Sequence, residues 1–406
     1  MKPQVCILGG HQTDFARVWS REGQDISDMV REATRAALED AGVDAAQVES
    51  IHVGNAFGEL QRQQGHLGSM VAQVVPELWG RPAMRHEGAC ASGSLAILTA
   101  MAEIEAGRYD CVLVLGVEEQ KNLPGDEASR IQNSAAWQGR ENIDCRFMWP
   151  AVFGRLAQEY DERHGLDRRH LNAIAELNYA NARRNPRAQT RRWQFGPGAF
   201  SEDDEKNPVI EPGVRRQDCA QITDGACAVL LASPRRAAEL GLDAERLPRI
   251  LGWGHRNAGL RLLDKLERSR GQDYVFPEVR ATIQDAFRRA GLPGVDALDG
   301  IETHDCFTST EYMAIDHYGL TPPGQGWRAV EDGSIAPGGR CPVNMSGGLI
   351  GGGHPVGATG VRMLLDAARQ VTGVAGGMQI DGAQRIGTLN IGGSCATVAS
   401  FVVGRA

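Results

Sequence analysis

A chain of 406 residues is longer than one hydrophobic core usually serves, so two domains with room for an insertion are expected. Hydrophobic residues at 42%, charged residues at 23% and a net charge of −8 describe an ordinary globular protein; they argue against nucleic acid as the main partner, and no stretch is apolar enough for a membrane span. The nine cysteines are odd in number, scattered and never spaced Cys-x-x-Cys, which speaks against a disulfide framework or a zinc ribbon.

The chain opens "MKPQVCILGG", running directly into a short apolar strand with no leader pattern before it, so a cytoplasmic location is expected. Residues 30–53 read as an amphipathic helix, a stop at Gly42 and a strand from Ile51. Next comes "RHEGACASGSLAILTAMAEIEAG", with Cys90 just before the small residues Ala91 to Ser94 that open a helix. A thiol at a helix N-terminus feels the positive end of the macrodipole, which favours its thiolate. A helix-packing cysteine is the competing reading. The strand "CVLVLG" follows at 111–116.

Residues 119–222 are richer in charge and aromatics and lack the strand rhythm, so they are expected to form an insertion carrying substrate-facing loops. Another apolar strand, "GACAVLLAS" at 225–233, resumes the pattern.

The second half repeats the first. Residues 279–303 again read helix, Gly291 stop and strand, with Ala286-Phe287 answering Ala37-Leu38 and Ile301 answering Ile51. A helix from about Ala358 leads to "RIGTLNIGG" at 385–393, and "ATVASFVVG" at 396–404 closes the chain. A duplicated α/β unit is predicted, each half a mixed sheet covered by helices. The strand from Ile301 ends in "ETHDCFTSTEY", placing His304, Asp305 and Cys306 at a strand-to-helix corner, where α/β proteins build sites. The run "VNMSGGLIGGGHPVGATG" then presses His354 between glycines and Pro355. It fits no phosphate cradle, because neither Gly-x-Gly-x-x-Gly nor Gly-Lys-Ser/Thr can be laid on it. Cys90, His304, Cys306 and His354 thus fall at equivalent edges of a duplicated sheet. Zinc binding is one reading of this set, but the spacing suits a thiol nucleophile activated by histidine better, and no metal is expected.

Taken together, the Gly353-His354-Pro355 run, the Cys90 helix start and the duplicated halves resemble the thiolase superfamily over nearly the full chain. That resemblance implies a five-layered αβαβα thiolase fold with an inserted loop domain, usually as a homodimer or a tetramer. The corresponding boundaries are 1–118 completed by 223–236, a loop domain at 119–222, and 237–406. Cys90 matches the acyl-accepting nucleophile and His354 the histidine that activates it. Where many thiolases have Asn-Glu-Ala-Phe this chain has His304-Asp305-Cys306-Phe307, and Asn390 stands where they have a second catalytic cysteine. Both departures are similar to the thiolases related to sterol carrier protein, which implies Cys306 as acid/base and His304 at the oxyanion site. The sterol-carrier domain itself is not expected, because the sequence stops at Ala406. Cys395 is read as structural, and the amides of Cys90 and Gly392 as oxyanion donors.

The implied activity is that of an acyl-CoA C-acyltransferase. Coenzyme A thioesters are the substrates and no cofactor is permanently bound. Arg183, Arg184 and Arg187, with Arg191 and Arg192, are candidates for the coenzyme A phosphates, against the alternative of a solvated basic face. Two other readings stand beside this one: a biosynthetic C-acyltransferase or retro-aldolase on the same fold, and a non-catalytic acyl-CoA-binding scaffold for a small partner protein.

Overall fold

The computed structural model describes residues 4–141 and 144–405, so Met1 and Ala406, the two ends read above, lie outside the described residues. The principal elements of the first half are β1 (Cys6–Gln12), α1 (Ile26–Ala41), β2 (Ser50–Gly54), β3 (Ala83–His86), α2 (Ser92–Glu105) and β4 (Cys111–Glu118). Helices α3 (Met148–His164) and α4 (Arg168–Ala182) follow, and then β5 (Gly225–Ala232). The second half contributes β6 (Arg249–Asn257), α5 (Pro277–Ala290), β7 (Gly300–Thr303), α6 (Thr308–Tyr318), α7 (Thr359–Thr372), β8 (Arg385–Gly392) and β9 (Thr397–Gly404). Among the described residues no helix is long and apolar enough to cross a membrane.

The strands form one sheet in the order β3-β2-β4-β5-β1-β6-β9-β8-β7. The internal repeat is visible in the pairing. β2 runs parallel to β4, which is antiparallel to β5, which is antiparallel to β1; β7, β8, β9 and β6 repeat that series. The partner of β2 on its outer side is β3, whereas the equivalent neighbour of β7 shrinks to one parallel bridge between Ile301 and Val343. The two half-sheets meet at a narrow seam, where β1 pairs with β6 only at Cys6 and Arg249.

Local signals explain the matching helices. Asp25 caps the start of α1 by accepting from the Ser27 amide, and Gly42 ends it at φ +63°; α5 ends the same way at Gly291, φ +69°. Layering follows from period-2 alternation along the strands. Cys111, Leu113, Leu115 and Val117 of β4 face a core shared with α1, while Val112 and Val114 face a middle core shared with α2 and α7. In the second half Leu389, Ile391, Val398 and Val402 face a third core with α3, α5 and α6. Helix layers therefore lie outside each half-sheet and between the two, giving the five layers expected of a thiolase fold. Sandwiched between half-sheets, α2 buries side chains around much of its circumference, as a helix without a solvent face should.

The segment expected to carry substrate-facing loops contains two long helices, α3 and α4. Val152, Leu156 and Tyr160 recur at helical spacing along α3 and are buried, so the apolar stripe of "MWPAVFGRLAQEY" outweighs the charge around it. A small hairpin, Val209–Glu211 with Val214–Arg215, lies within the segment, and single bridges tie Cys219 to Phe307 and Ile222 to His354. Tyr160 meets Tyr312 of α6 edge-on at 5.4 Å near the C-terminal end of α3, while at its other end, which carries Trp149 and Phe153, the Phe153 carbonyl accepts from Ser309 Oγ at 2.9 Å.

Candidate active site

Cys90 lies in a single 3-10 turn, Ala89–Ala91, that leads straight into α2, and His354 lies just before the start of α7. Their approach depends on two glycines. A Cβ at Gly93 would stand 2.7 Å from the Gly357 carbonyl oxygen, and one at Gly360 would stand 2.3 Å from the Ser94 Oγ. Any side chain at either position would force the two helix starts apart. The loop carrying His354 is held from below by Asp305, which accepts from the amides of Leu349 at 2.6 Å and Ile350 at 3.2 Å and from Asn178 Nδ2 at 3.0 Å. Beside it, buried Arg362 pairs with Glu302 at 2.8 Å and Asp366 at 3.1 Å.

Three of the four reactive groups picked from the sequence, Cys90, Cys306 and His354, line one cavity of about 80 Å³, whose other walls include Phe57, Trp149, Phe153, Phe307, Val356 and Gly393. His304 stands at its back, 1% exposed, with its ring perpendicular to that of His354 at 5.2 Å. One donor atom from each of Cys90, His304 and His354 lies within 4.8 Å of the others. His354 Nδ1 is 2.7 Å from Thr359 Oγ1, while its Nε2 is buried without a hydrogen-bond partner. His304 Nδ1 is 3.1 Å from Asn390 Nδ2, which also donates to the Cys90 carbonyl at 3.1 Å.

Burial sets the charge state of these groups. Although Cys90 stays reachable from the cavity, protein encloses it on the other sides and pushes its thiol up to about 12; the amides of Gly393 and of Cys90 itself oppose this without overcoming it. That rise from 9.0 corresponds to roughly 4 kcal/mol, against about 1 kcal/mol or less from a helix terminus. The expectation of a dipole-favoured thiolate is therefore corrected: the resting group is a thiol. Burial, and then the charge of Arg362, lower His354 to about 3, and burial followed by His354 holds His304 well below the usual imidazole range. Cys306 is raised well above the ordinary thiol range by burial and then by Cys90.

A neutral thiol reacts when a nearby base takes its proton as the sulfur attacks, and the unpartnered Nε2 of neutral His354 is a candidate for that base. His354→Ala should slow acylation of Cys90 roughly 100-fold or more, with partial recovery as pH climbs toward the thiol's own value of about 12. In the unaltered protein the acylation rate should be flat between about pH 7.5 and 5, because a histidine at about 3 is not yet protonated there. Stopped-flow or quench acylation across that range checks both: an unslowed His354→Ala would remove His354 from the base role, and a rate falling with a midpoint near 6.5 would show that burial does not lower the base's affinity for a proton.

The arginines picked from the sequence do not line this cavity. Arg183 lines a separate one of about 520 Å³ with Tyr179, Phe195 and Phe200; Arg187 sits beside Arg369, and Arg191 forks onto Asp14 at 2.8 and 2.7 Å. Cys395, read from the sequence as structural, is buried and does not line the cavity. The amide facing the Cys90 sulfur, besides its own, belongs to Gly393, next to the expected Gly392. Gly392 ends β8 so close to the chain that a Cβ would stand 2.1 Å from the Gly88 carbonyl oxygen.

Sequence reasoning missed Glu118, Thr359 and the contacts of Asn390. Glu118 is fully buried and accepts from the amides of Ala56, Phe57 and Gly357 at 2.9 to 3.0 Å, tying two walls of the cavity together. An acid ending an otherwise apolar strand was the signal available for it.

Known proteins share this architecture. Residues 5–235 match the model "Thiolase, N-terminal domain" and residues 262–405 "Thiolase C-terminal domain-like". An acetyl-CoA acetyltransferase of Methanothermobacter thermautotrophicus is 32% identical, covering 99% of both chains. Rabbit (Oryctolagus cuniculus) sterol carrier protein 2 is 27% identical over 99% of this chain and 72% of its own. Among solved structures, the Ltp2-ChsH2(DUF35) aldolase superposes with a TM-score of 0.77 at 19% identity, covering 100% of this chain and 99% of that one. The acetyl-CoA acetyltransferase from Syntrophomonas wolfei superposes with a TM-score of 0.71 at 18% identity, covering 100% of both.

Proposed function

The chain belongs to the thiolase family, and on that premise we propose that it is an acyl-CoA C-acyltransferase that forms or cleaves a β-ketoacyl-CoA through an acyl group carried on Cys90. The observation that carries this reading is the convergence of Cys90, Cys306 and His354 on one small cavity, with a donor atom of His304 within 4.8 Å of those of Cys90 and His354. Cys90 attacks the keto carbonyl as His354 Nε2 takes its proton. The negative oxygen that develops is met by amides at the Cys90 turn, and each such donor is worth roughly 3 kcal/mol of barrier. Breaking the carbon–carbon bond releases an acyl-CoA enolate, which Cys306 protonates at carbon; free coenzyme A then takes the acyl group from Cys90. Coenzyme A thioesters are thus substrates, and no resident cofactor is called for. The proposed setting is a cytoplasmic homodimer or tetramer.

The size of the cavity favours a short acyl group. The cavity measures only about 80 Å³, and in its wall Phe153 stacks on Phe307 at 4.9 Å. Intact-mass measurement after incubation with acetyl-, butyryl- and hexanoyl-CoA should find a strong acetyl adduct and little hexanoyl adduct. Phe153→Ala should admit the longer chain. An unmodified mass with all three thioesters would count against acyl transfer altogether and favour an aldolase or a binding scaffold, neither of which needs an acyl-enzyme. Equal labelling by all three would defeat only the short-chain reading.

A further inference from the structure

The two histidines at Cys90 have the same side chain and opposite roles, and nothing in the ring itself says which nitrogen carries the proton. We propose that Asn390 is the residue that assigns it: by donating to His304 Nδ1 it places the proton of His304 on Nε2, making that ring a donor to the thioester oxygen while His354 remains an acceptor. This proposal rests on the acyl-transfer reading above and names a positioning residue for it.

The hydrogen bonds fix the direction. The Asn390 amide nitrogen lies 3.1 Å from the Cys90 carbonyl oxygen, which can only accept, so the nitrogen and not the oxygen of the amide faces that side. The amide oxygen is taken by the Ser94 hydroxyl at 2.7 Å, which secures the same orientation from the other end. The remaining amide hydrogen points at His304 Nδ1, 3.1 Å away. An amide nitrogen has no lone pair to offer, so Nδ1 must accept and the ring's one hydrogen must sit on Nε2.

His354 is set the other way. The Thr359 hydroxyl has a carbonyl acceptor, Pro355 O, at 3.0 Å, and its lone pair faces His354 Nδ1 at 2.7 Å. With the hydroxyl hydrogen turned to the carbonyl, Nδ1 donates and the unpartnered Nε2 keeps its lone pair for the Cys90 proton. Low affinity of both rings for a second proton preserves the difference, since an imidazolium would be a donor at both nitrogens. The same assignment works against a metal at this trio, because a donor N–H on His304 offers no lone pair toward it.

The test reads tautomers and rates separately. In the unaltered protein, nitrogen-15 NMR of labelled histidines, assigned with His304→Ala and His354→Ala, should show a protonated Nε2 on His304 and a protonated Nδ1 on His354. Asn390→Asp keeps the shape but can only accept, so the proton of His304 should move to Nδ1. Acetylation of Cys90 at saturating acetyl-CoA should then fall roughly 100- to 1000-fold, the size of losing one oxyanion donor, with the half-saturating concentration little changed. Identical tautomers on the two rings of the unaltered protein overturn the proposal, and that measurement needs no variant to fold. So does an Asn390→Asp protein that acetylates at the normal rate, or one that is slowed while His304 keeps its Nε2 proton. The underlying acyl-transfer reading fails differently, through no adduct on the unaltered protein with any acyl-CoA.

Discussion

Cys90→Ala should end both acyl-enzyme formation and turnover, a loss on the order of a million-fold, the size met when an acyl-enzyme nucleophile is deleted elsewhere. The geometry leaves no substitute. Cys306 shares the cavity but sits on another element, and neither the start of α2 nor the amides of Gly393 and residue 90 serve its sulfur. Cys395 is buried elsewhere. The alanine should also be tolerated by the fold, because removing one sulfur from the cavity wall leaves the glycine contacts that bring α2 and α7 together untouched. Intact mass after acetyl-CoA incubation, with a melting curve on the same sample, decides the matter. A normal adduct on a folded variant would move the nucleophile, with Cys306 the first suspect.

Cys306→Ala should separate two activities that Cys90→Ala removes together. Thioester exchange needs no enolate, so acetyl transfer from acetyl-CoA onto Cys90 should persist. Cleavage requires a proton delivered to the departing enolate carbon and condensation requires one removed, so both should drop by roughly 100- to 10,000-fold. The charge state suits proton delivery, because burial, followed by the neighbouring Cys90, keeps the Cys306 thiol protonated and ready to donate. Acetyl transfer and acetoacetyl-CoA cleavage are measured on one preparation. Near-normal cleavage would reduce Cys306 to packing behind His304.

Much of the architecture is legible in the sequence because it is written twice. Helix, glycine stop and strand at Ile26–Gly54 and again at Pro277–Thr303 are local patterns, and their repetition turns a common motif into a duplicated fold. Cys90, His304, Cys306 and His354 are legible for a related reason, since each sits where a strand or loop hands over to a helix. What stays hidden depends on contacts between distant residues. Asn390 touches Ser94, Cys90 and His304 across 296, 300 and 86 positions, and no spacing rule connects them. The direction of the thiol's shift is missed because the macrodipole is visible in a helix start, whereas enclosure by Phe57, Val356 and the Gly393 loop is visible only in space. Within 119–222 the helix α3 is not foreseen, because the charges there are conspicuous and the stripe of Val152, Leu156 and Tyr160 is short.

The narrow seam between β1 and β6 has a bearing on how the protein comes into being. Cys90 belongs to the first half of the chain, while His304, Cys306 and His354 belong to the second and are translated long after it. The enclosure that raises the Cys90 thiol draws on both halves, since Phe57 comes from the first and Val356 and Gly393 from the second. Completion of the chain thus does two opposite things at once. It closes the middle layer around the sulfur, which raises its thiol, and it brings the rings of His304 and His354 within 4.8 Å of that same sulfur.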